Sequence, residues 1–466
     1  MPVLGLRSTV LWVAVVVAGW AMIAIPAYAT YYERTTADEP QYLLSALSLA
    51  EDHNLSIDDE LAAERYRPFH EVDLPVQTET LANGHAVSPH DPLLPALLAV
   101  PMGLGGWVAA KATMALLAGV LAGLLTWVAH RRFEVPLGVA ALATVAFGVA
   151  APLSAYGSQI YPELPAALAV TVAIALLAAP RTQAVGLAAA VTALPWLGVK
   201  YAPVAVVLAG LGVFRLWRAR RPRAAFATVV GLGLAGAGYL VVHRLLYGGW
   251  TVYAAGDHFS GGELTVVGTE PNYLGRSRRV VGLLLDHGFG LAAWMPAYLL
   301  IVPALAALVR RRPPGWLALM LPAAAGWATA TWVALTMHGW WSPGRQTVVI
   351  LPCLVLAVAW WAGRIVAARW FVAVSGMFGA ITWLWLAVEA TRRRHTLITD
   401  FEATGNPLYQ AWRTVLPDYR HPGLEDWMLQ AGWLVALGVV AVWAVTERSL
   451  PQFVPFKRRR PSHVRA

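Results

Sequence analysis

The sequence predicts an all-α, polytopic membrane protein of about twelve transmembrane helices, and three observations carry that reading. Of 466 residues, 58% are hydrophobic and 13% are charged, too little charge to solvate a soluble chain of this length. Apolar runs long enough to cross a bilayer core of about 30 Å recur along the whole chain, each closed by charged or Pro/Gly-rich punctuation. The basic residues then gather in alternate short loops, which is a topology signal.

Taken in order, the expected spans are 11–30, 104–128, 136–154, 163–179, 183–198, 201–217, 224–245, 290–309, 315–336, 346–363, 370–389 and 431–446. The first ends in Ala27-Tyr28-Ala29, which has the form of a signal-peptidase site. Its apolar run exceeds the usual signal core and is preceded by Arg7 as the only charge, so it reads as a retained span. The 183–198 and 201–217 pair is short and interrupted by Pro195, Gly198 and Pro203, which suggests a tight hairpin. Between the first two spans, Leu43, Leu44, Leu47 and Leu49 give a helical apolar stripe, so an interfacial helix is expected after Asp38-Glu39. Two regions follow: a membrane core over 1–390 that includes the loop 31–92, and a tail over 391–466 with a further loop, a last span and a basic terminus.

His130-Arg131-Arg132, Arg181, Arg215 through Arg223, Arg310-Arg311-Arg312, Arg364/Arg369 and Lys457 through Arg460 all fall on one side under this count. The positive-inside rule makes that side cytoplasmic, with both termini on it, in a plasma (inner) membrane. Loop 31–92, on the opposite side, holds thirteen acidic residues against three arginines. The net charge of +9 is thus topological, and nucleic-acid binding is excluded as its meaning. The lone Cys353 rules out an internal disulfide and a cysteine metal site. No nucleotide-binding loop is present, so a directly nucleotide-driven reaction is not expected.

The unusual polar residues collect on the outer side. Asp38 and Glu39 follow the first span, where partial burial can tune a general base; a helix cap is the plainer alternative. Glu163 opens a span after Tyr161-Pro162, either as a functional intramembrane acid or as a dipole-favoured helix start. Lys200 stands alone in the hairpin, snorkelling to the interface or holding a lipid phosphate. In His338-Gly339-Trp340-Trp341-Ser342-Pro343-Gly344-Arg345, the arginine fork suits phosphate, while the tryptophans stack on a sugar or join the aromatic belt. Loop 247–288 carries Asp257-His258 and three arginines, Arg276, Arg278 and Arg279, against the positive-inside trend, so something anionic is expected there. Asp257-His258 offers two ligands to a divalent cation and lacks a third, so no metal site is assigned and no cofactor is certain.

Asp38-Glu39-Pro40-Gln41-Tyr42, Ser88-Pro89-His90-Asp91-Pro92-Leu93, Tyr161-Pro162-Glu163, Trp196 to Tyr201, Tyr247-Gly248-Gly249 and Trp341 to Arg345 occur in one order and on one side. In this the chain, to about residue 365, resembles bacterial integral-membrane glycosyltransferases of the GT-C superfamily, relatives of the protein O-mannosyltransferases and the lipid A aminoarabinose transferases. It departs from many of them at Gln41, where they carry His, and at Pro343-Gly344-Arg345, where they carry Gly-Pro-Arg. The resemblance implies transfer of a sugar from a polyprenyl-phosphate donor, with inversion, to a glycan, lipid or protein acceptor at the outer face. Asp38 would be the base with Glu39 beside it, Lys200, Arg345 and Arg279 would hold the donor phosphate, and Tyr42, Glu163, His338, Trp341, Asp257 and His258 would meet sugar or acceptor. The competing readings are a secondary transporter or lipid flippase, and a non-catalytic partner in envelope assembly. Membrane lipids are partners under every reading.

Overall fold

The computed structural model describes residues 5–75, 77, 78, 80, 81, 84–256 and 271–447. Among these no β-strand forms; isolated bridges such as Ser56 to Val87 tie the first loop together. Among the described residues, six helices are long and apolar enough to cross a membrane: Leu93–Arg132, Val199–Arg218, Pro222–Ala255, Arg345–Ala362, Val366–Thr391 and Leu424–Thr446. Five shorter apolar helices, Leu6–Met22, Leu137–Gly148, Glu163–Leu177, Ala184–Leu197 and Leu317–Val333, stand where further spans are expected. The 3-10 turn Pro296–Leu300 and the helix Ile301–Arg311 take the remaining place. The all-α polytopic reading is therefore correct, while individual bounds move.

The bounds move for local reasons. The first helix runs Leu6–Met22 rather than 11–30, and the chain leaves it through turns before Pro26. The Leu93–Arg132 helix is bent where Gly106 takes a φ of +63°, a left-handed geometry open to glycine. That bend separates an initial helical segment from the span proper. At about 1.5 Å per residue, the twelve residues of Leu137–Gly148 do not cross a bilayer core. The chain after them continues through the turn Leu153–Tyr156, buried throughout, where its backbone groups are satisfied inside protein rather than in lipid.

Packing puts Leu351–Ala362 at the centre, every residue buried, and leaves Leu424–Thr446 at the periphery with only Ala444 buried. Leu6–Met22 lies against Leu93–Arg132 through Gly119 and Gly123. A Cβ on Gly119 would come within 2.4 Å of the Ala14 carbonyl oxygen, and one on Gly123 within 3.2 Å of that of Val10. Small residues four apart let two backbones meet where lipid supplies no hydrophobic drive for association. The loop 31–92 contributes the helices Glu39–Glu51 and Asp58–Ala62, the first buried along most of its length against the bundle. It closes one end of the helices and brings Asp38 over them.

Candidate active site

Asp38 stands at the start of Glu39–Glu51, preceded by Ala37 at a φ of +49°. Its carboxylate pairs with Nη2 of Arg345, which lies over three hundred residues away in the chain. Arg345 follows Gly344, whose φ of +78° and tight approach to Pro152 and Leu291 leave no easy room for a side chain. Arg345 Nε donates to Glu163 Oε1 at 2.9 Å, and Lys200 Nζ donates to the same oxygen at 2.7 Å. The result is an alternating row of charges, Asp38, Arg345, Glu163 and Lys200, drawn from a loop and three separate helical segments. The Arg345 guanidinium lies between two rings, 4.4 Å from the centroid of Tyr161 and 5.0 Å from that of Trp341.

Asp38, Tyr42, His90, Lys200, Trp341 and Arg345 line one cavity of about 430 Å³. Its far wall is apolar, with Val204, Ala330, Val333 and Val349 among the lining residues. The Asp38 side chain keeps 24% of its surface exposed, whereas Arg345 keeps 7%. Burial pushes the Asp38 carboxyl up, but Arg345 and His90 outweigh it and hold the group well below the usual carboxylate range.

Of the residues expected at the site, Asp38, Tyr42, Lys200, Trp341 and Arg345 lie on one cavity. Four other candidate residues lie off that cavity. Glu39 is fully buried: it accepts N–H bonds from Ile160 at 2.8 Å and Thr36 at 3.2 Å, and lies 3.9 Å from Lys111 Nζ. It fastens the loop to the bundle and does not line the cavity. Burial also pushes its carboxyl up, against Lys111 and the two amides. Glu163 sits behind Arg345 and Lys200, holding both rather than facing a sugar. Arg279 and His338 line a different cavity, on the other side of the 334–338 backbone. Its neighbours make His338 a partner of Asp286, at 3.3 Å. Asp257 and His258 lie outside the described residues.

His90 and Asp91 stand in the Ser88 to Leu93 motif, which by itself gives them no role. His90 Nε2 is 3.7 Å from Asp38 Oδ1, and its ring lies 4.5 Å from that of Tyr42. Ser88 Oγ and His90 Nδ1 are 2.7 Å apart, which fixes the ring. Asp91, buried, accepts from Val199 N at 3.0 Å and Tyr239 Oη at 2.8 Å, and lies 3.0 Å from His243 Nε2. Through these contacts the stretch carrying His90 is locked to the hairpin carrying Lys200. The signal for Asp91's partner and for Lys111 was present in the sequence: each, His243 and Lys111, is an ionisable side chain inside an apolar run, where it needs a partner.

Fold and cavity together define a class: a polytopic helical membrane protein whose first non-membrane loop sets a carboxylate against a buried arginine at one end of the bundle. The same fold is found in the crystal structure of ArnT from Cupriavidus metallidurans bound to undecaprenyl phosphate. The two superpose with a TM-score of 0.54 at 16% sequence identity, covering 93% of this chain and 74% of that one. No protein-family model matches the sequence, and no curated protein matches it either.

Proposed function

We propose that the chain is a membrane glycosyltransferase. It moves a sugar from a polyprenyl-phosphate donor to an acceptor at the outer face of the bacterial inner membrane, with inversion at the anomeric carbon. The charge row carries this reading. Arg345 and Lys200 are each fixed by Glu163 through one N–H and keep further donors for a phosphate beside the carboxylate of Asp38. The apolar wall of the cavity suits the prenyl chain. The neighbour of like fold holds undecaprenyl phosphate, a member of the class that leaves in such a reaction.

In the reaction, the acceptor hydroxyl oxygen bonds to the anomeric carbon on the face opposite the phosphate. The bond from that carbon to the phosphate oxygen breaks, and the electron pair departs with the lipid phosphate. Asp38 takes the hydroxyl proton. Arg345 and Lys200 meet the charge that grows on the leaving phosphate, where preorganised donors lower the barrier. While Arg345 is paired with Asp38, the carboxylate is a weak base. A donor phosphate that draws on the same guanidinium loosens that pair, so the base gains strength when the donor is in place. The lining of charged groups at one end of the bundle, rather than at its middle, favours this over transport.

The test is Asp38→Asn in membranes supplied with radiolabelled polyprenyl-phosphate sugars. Asparagine keeps the shape but takes no proton, so turnover falls on the order of a hundredfold or more with donor binding nearly retained. Near-wild-type turnover would remove Asp38 as the base and leave the transferase reading without its main support.

A further inference from the structure

The first loop carries a cluster of carboxylates that the Asp38 cavity does not use. One oxygen each from Asp52, Asp59 and Glu60 lies within 4.8 Å of the other two. Asp52 ends the Glu39–Glu51 helix, whose other end carries Asp38, while Asp59 and Glu60 belong to the next helix, Asp58–Ala62. The bases at hand are committed to other acids. Arg65 donates two hydrogen bonds to Glu51, at 2.8 and 3.0 Å, and His85 lies 3.1 Å from Asp58. Among the described residues, no lysine, arginine or histidine forms an ion pair with Asp52, Asp59 or Glu60.

Two features make this arrangement unfavourable without a cation. Glu60 is only 2% exposed, and its Oε2 is buried with no hydrogen-bond partner among the described residues. Ionised carboxylates only accept hydrogen bonds, so the two aspartates cannot satisfy it. Burial, then Asp59 and Asp52, push the Glu60 carboxyl up to about 8. Asp52, for its part, stands at the negative end of the Glu39–Glu51 helix, where a carboxylate is disfavoured and a cation is welcome.

We propose that Asp52, Asp59 and Glu60 bind a Ca²⁺ ion that ties the end of the Glu39–Glu51 helix to the helix after it. All three ligands are hard carboxylate oxygens, the donors of Ca²⁺ and Mg²⁺ rather than of zinc or copper. With bonds of about 2.3–2.6 Å, two oxygens on one Ca²⁺ stand at most about 5 Å apart, so the spacing admits the ion. Mg²⁺ demands a near-ideal octahedron and keeps much of its water, which suits a partly buried trio from two helices less well. Asp52 and Asp59 are exposed, so water completes the shell on one side while Glu60 closes the other. A site so open falls in the weak range, with a Kd on the order of 10⁻⁴–10⁻³ M. The binding does not depend on the transfer reading. Its effect on the fold is to fix the far end of the helix that begins beside Asp38.

The test is a calorimetric titration of Ca²⁺ into the full-length protein in neutral detergent, stripped with EGTA and held in about 0.15 M KCl to screen exposed charge. Wild type binds Ca²⁺ in that range, and its thermal midpoint rises with the ion. Asp52→Asn with Asp59→Asn, both at exposed positions that leave folding intact, weakens binding about tenfold or more and removes the rise. Glu60→Gln, of the same shape and uncharged, loses the ion as well. Asp38→Asn keeps the wild-type affinity, which separates this site from the first cavity. No binding by wild type, or undiminished binding by the double aspartate variant, overturns the proposal. So does loss of Ca²⁺ in Asp38→Asn alone, which would move the ion to the Asp38 cavity. Mg²⁺ binding as tightly as Ca²⁺ overturns the choice of ion.

Discussion

At the scale of single residues, the site depends on Arg345 being held from two sides. It is buried between Asp38 and Glu163, and Glu163 Oε2 has no hydrogen-bond partner among the described residues. Removing the guanidinium therefore does more than weaken a phosphate contact: it leaves Asp38 without its cation and Glu163 with Lys200 as its remaining one, in a poorly solvated place. Arg345→Gln is expected to lose donor binding and about 3–5 kcal/mol of stability at neutral pH. The pH dependence has a definite sign. The Asp38 carboxyl is depressed in the fold, so its ion-pair contribution is present above the ordinary carboxylate range and is lost as pH falls toward its folded value. Thermal midpoints of wild type and Arg345→Gln should differ most near pH 7 and converge under acid. A gap that is constant with pH would mean the carboxylate is not what the arginine stabilises. Lys200, which pairs with Glu163 and lies over the Tyr201 ring, should tolerate neutralisation better in stability while still losing donor affinity.

At the scale of elements, the first helix is placed by glycine rather than by side-chain interlock. Gly119 touches the Ala14 backbone closely, while Gly123 leaves slightly more room against Val10. A methyl group on Gly119 has a carbonyl oxygen 2.4 Å away and no flexible side chain to displace. Gly119→Ala should lower the thermal midpoint in detergent by an amount equivalent to about 1–3 kcal/mol, and Gly123→Ala by clearly less. Equal effects at the two positions would show that the helices separate freely. The consequence reaches the site, since the same first helix leads directly into the loop that carries Asp38. Lys111, on the helix that Gly119 belongs to, holds the loop again through the Arg34 carbonyl at 2.6 Å. One helix thus fixes both ends of the segment that delivers the base.

At the scale of the whole molecule, charge asymmetry predicts that loop 31–92 faces outward. Ala62, exposed in that loop, and Ala219, exposed in the basic turn between two spans, are suitable sites for single thiols because the native Cys353 is buried. An impermeant maleimide should label Ala62→Cys in intact cells and Ala219→Cys only after lysis; the reverse pattern would invert the topology. The sequence by itself determined the helical, membrane-spanning class and the order of the twelve apolar segments, because hydropathy and loop charge are local properties that lipid reads without help from tertiary contacts. It also singled out Asp38, Lys200 and Arg345 as rare polar groups beside apolar runs. Only the tertiary structure decided which of these meet. Asp38 and Glu39 are neighbours in sequence and equal in charge, yet one opens on the cavity and the other is buried under two amides. Arg345 and Arg279 looked alike as outer-face arginines and fall in separate cavities. The direction a side chain takes at a helix start, and the partner it reaches across more than a hundred residues, depend on how several helices pack at once, and no local pattern in the chain records that.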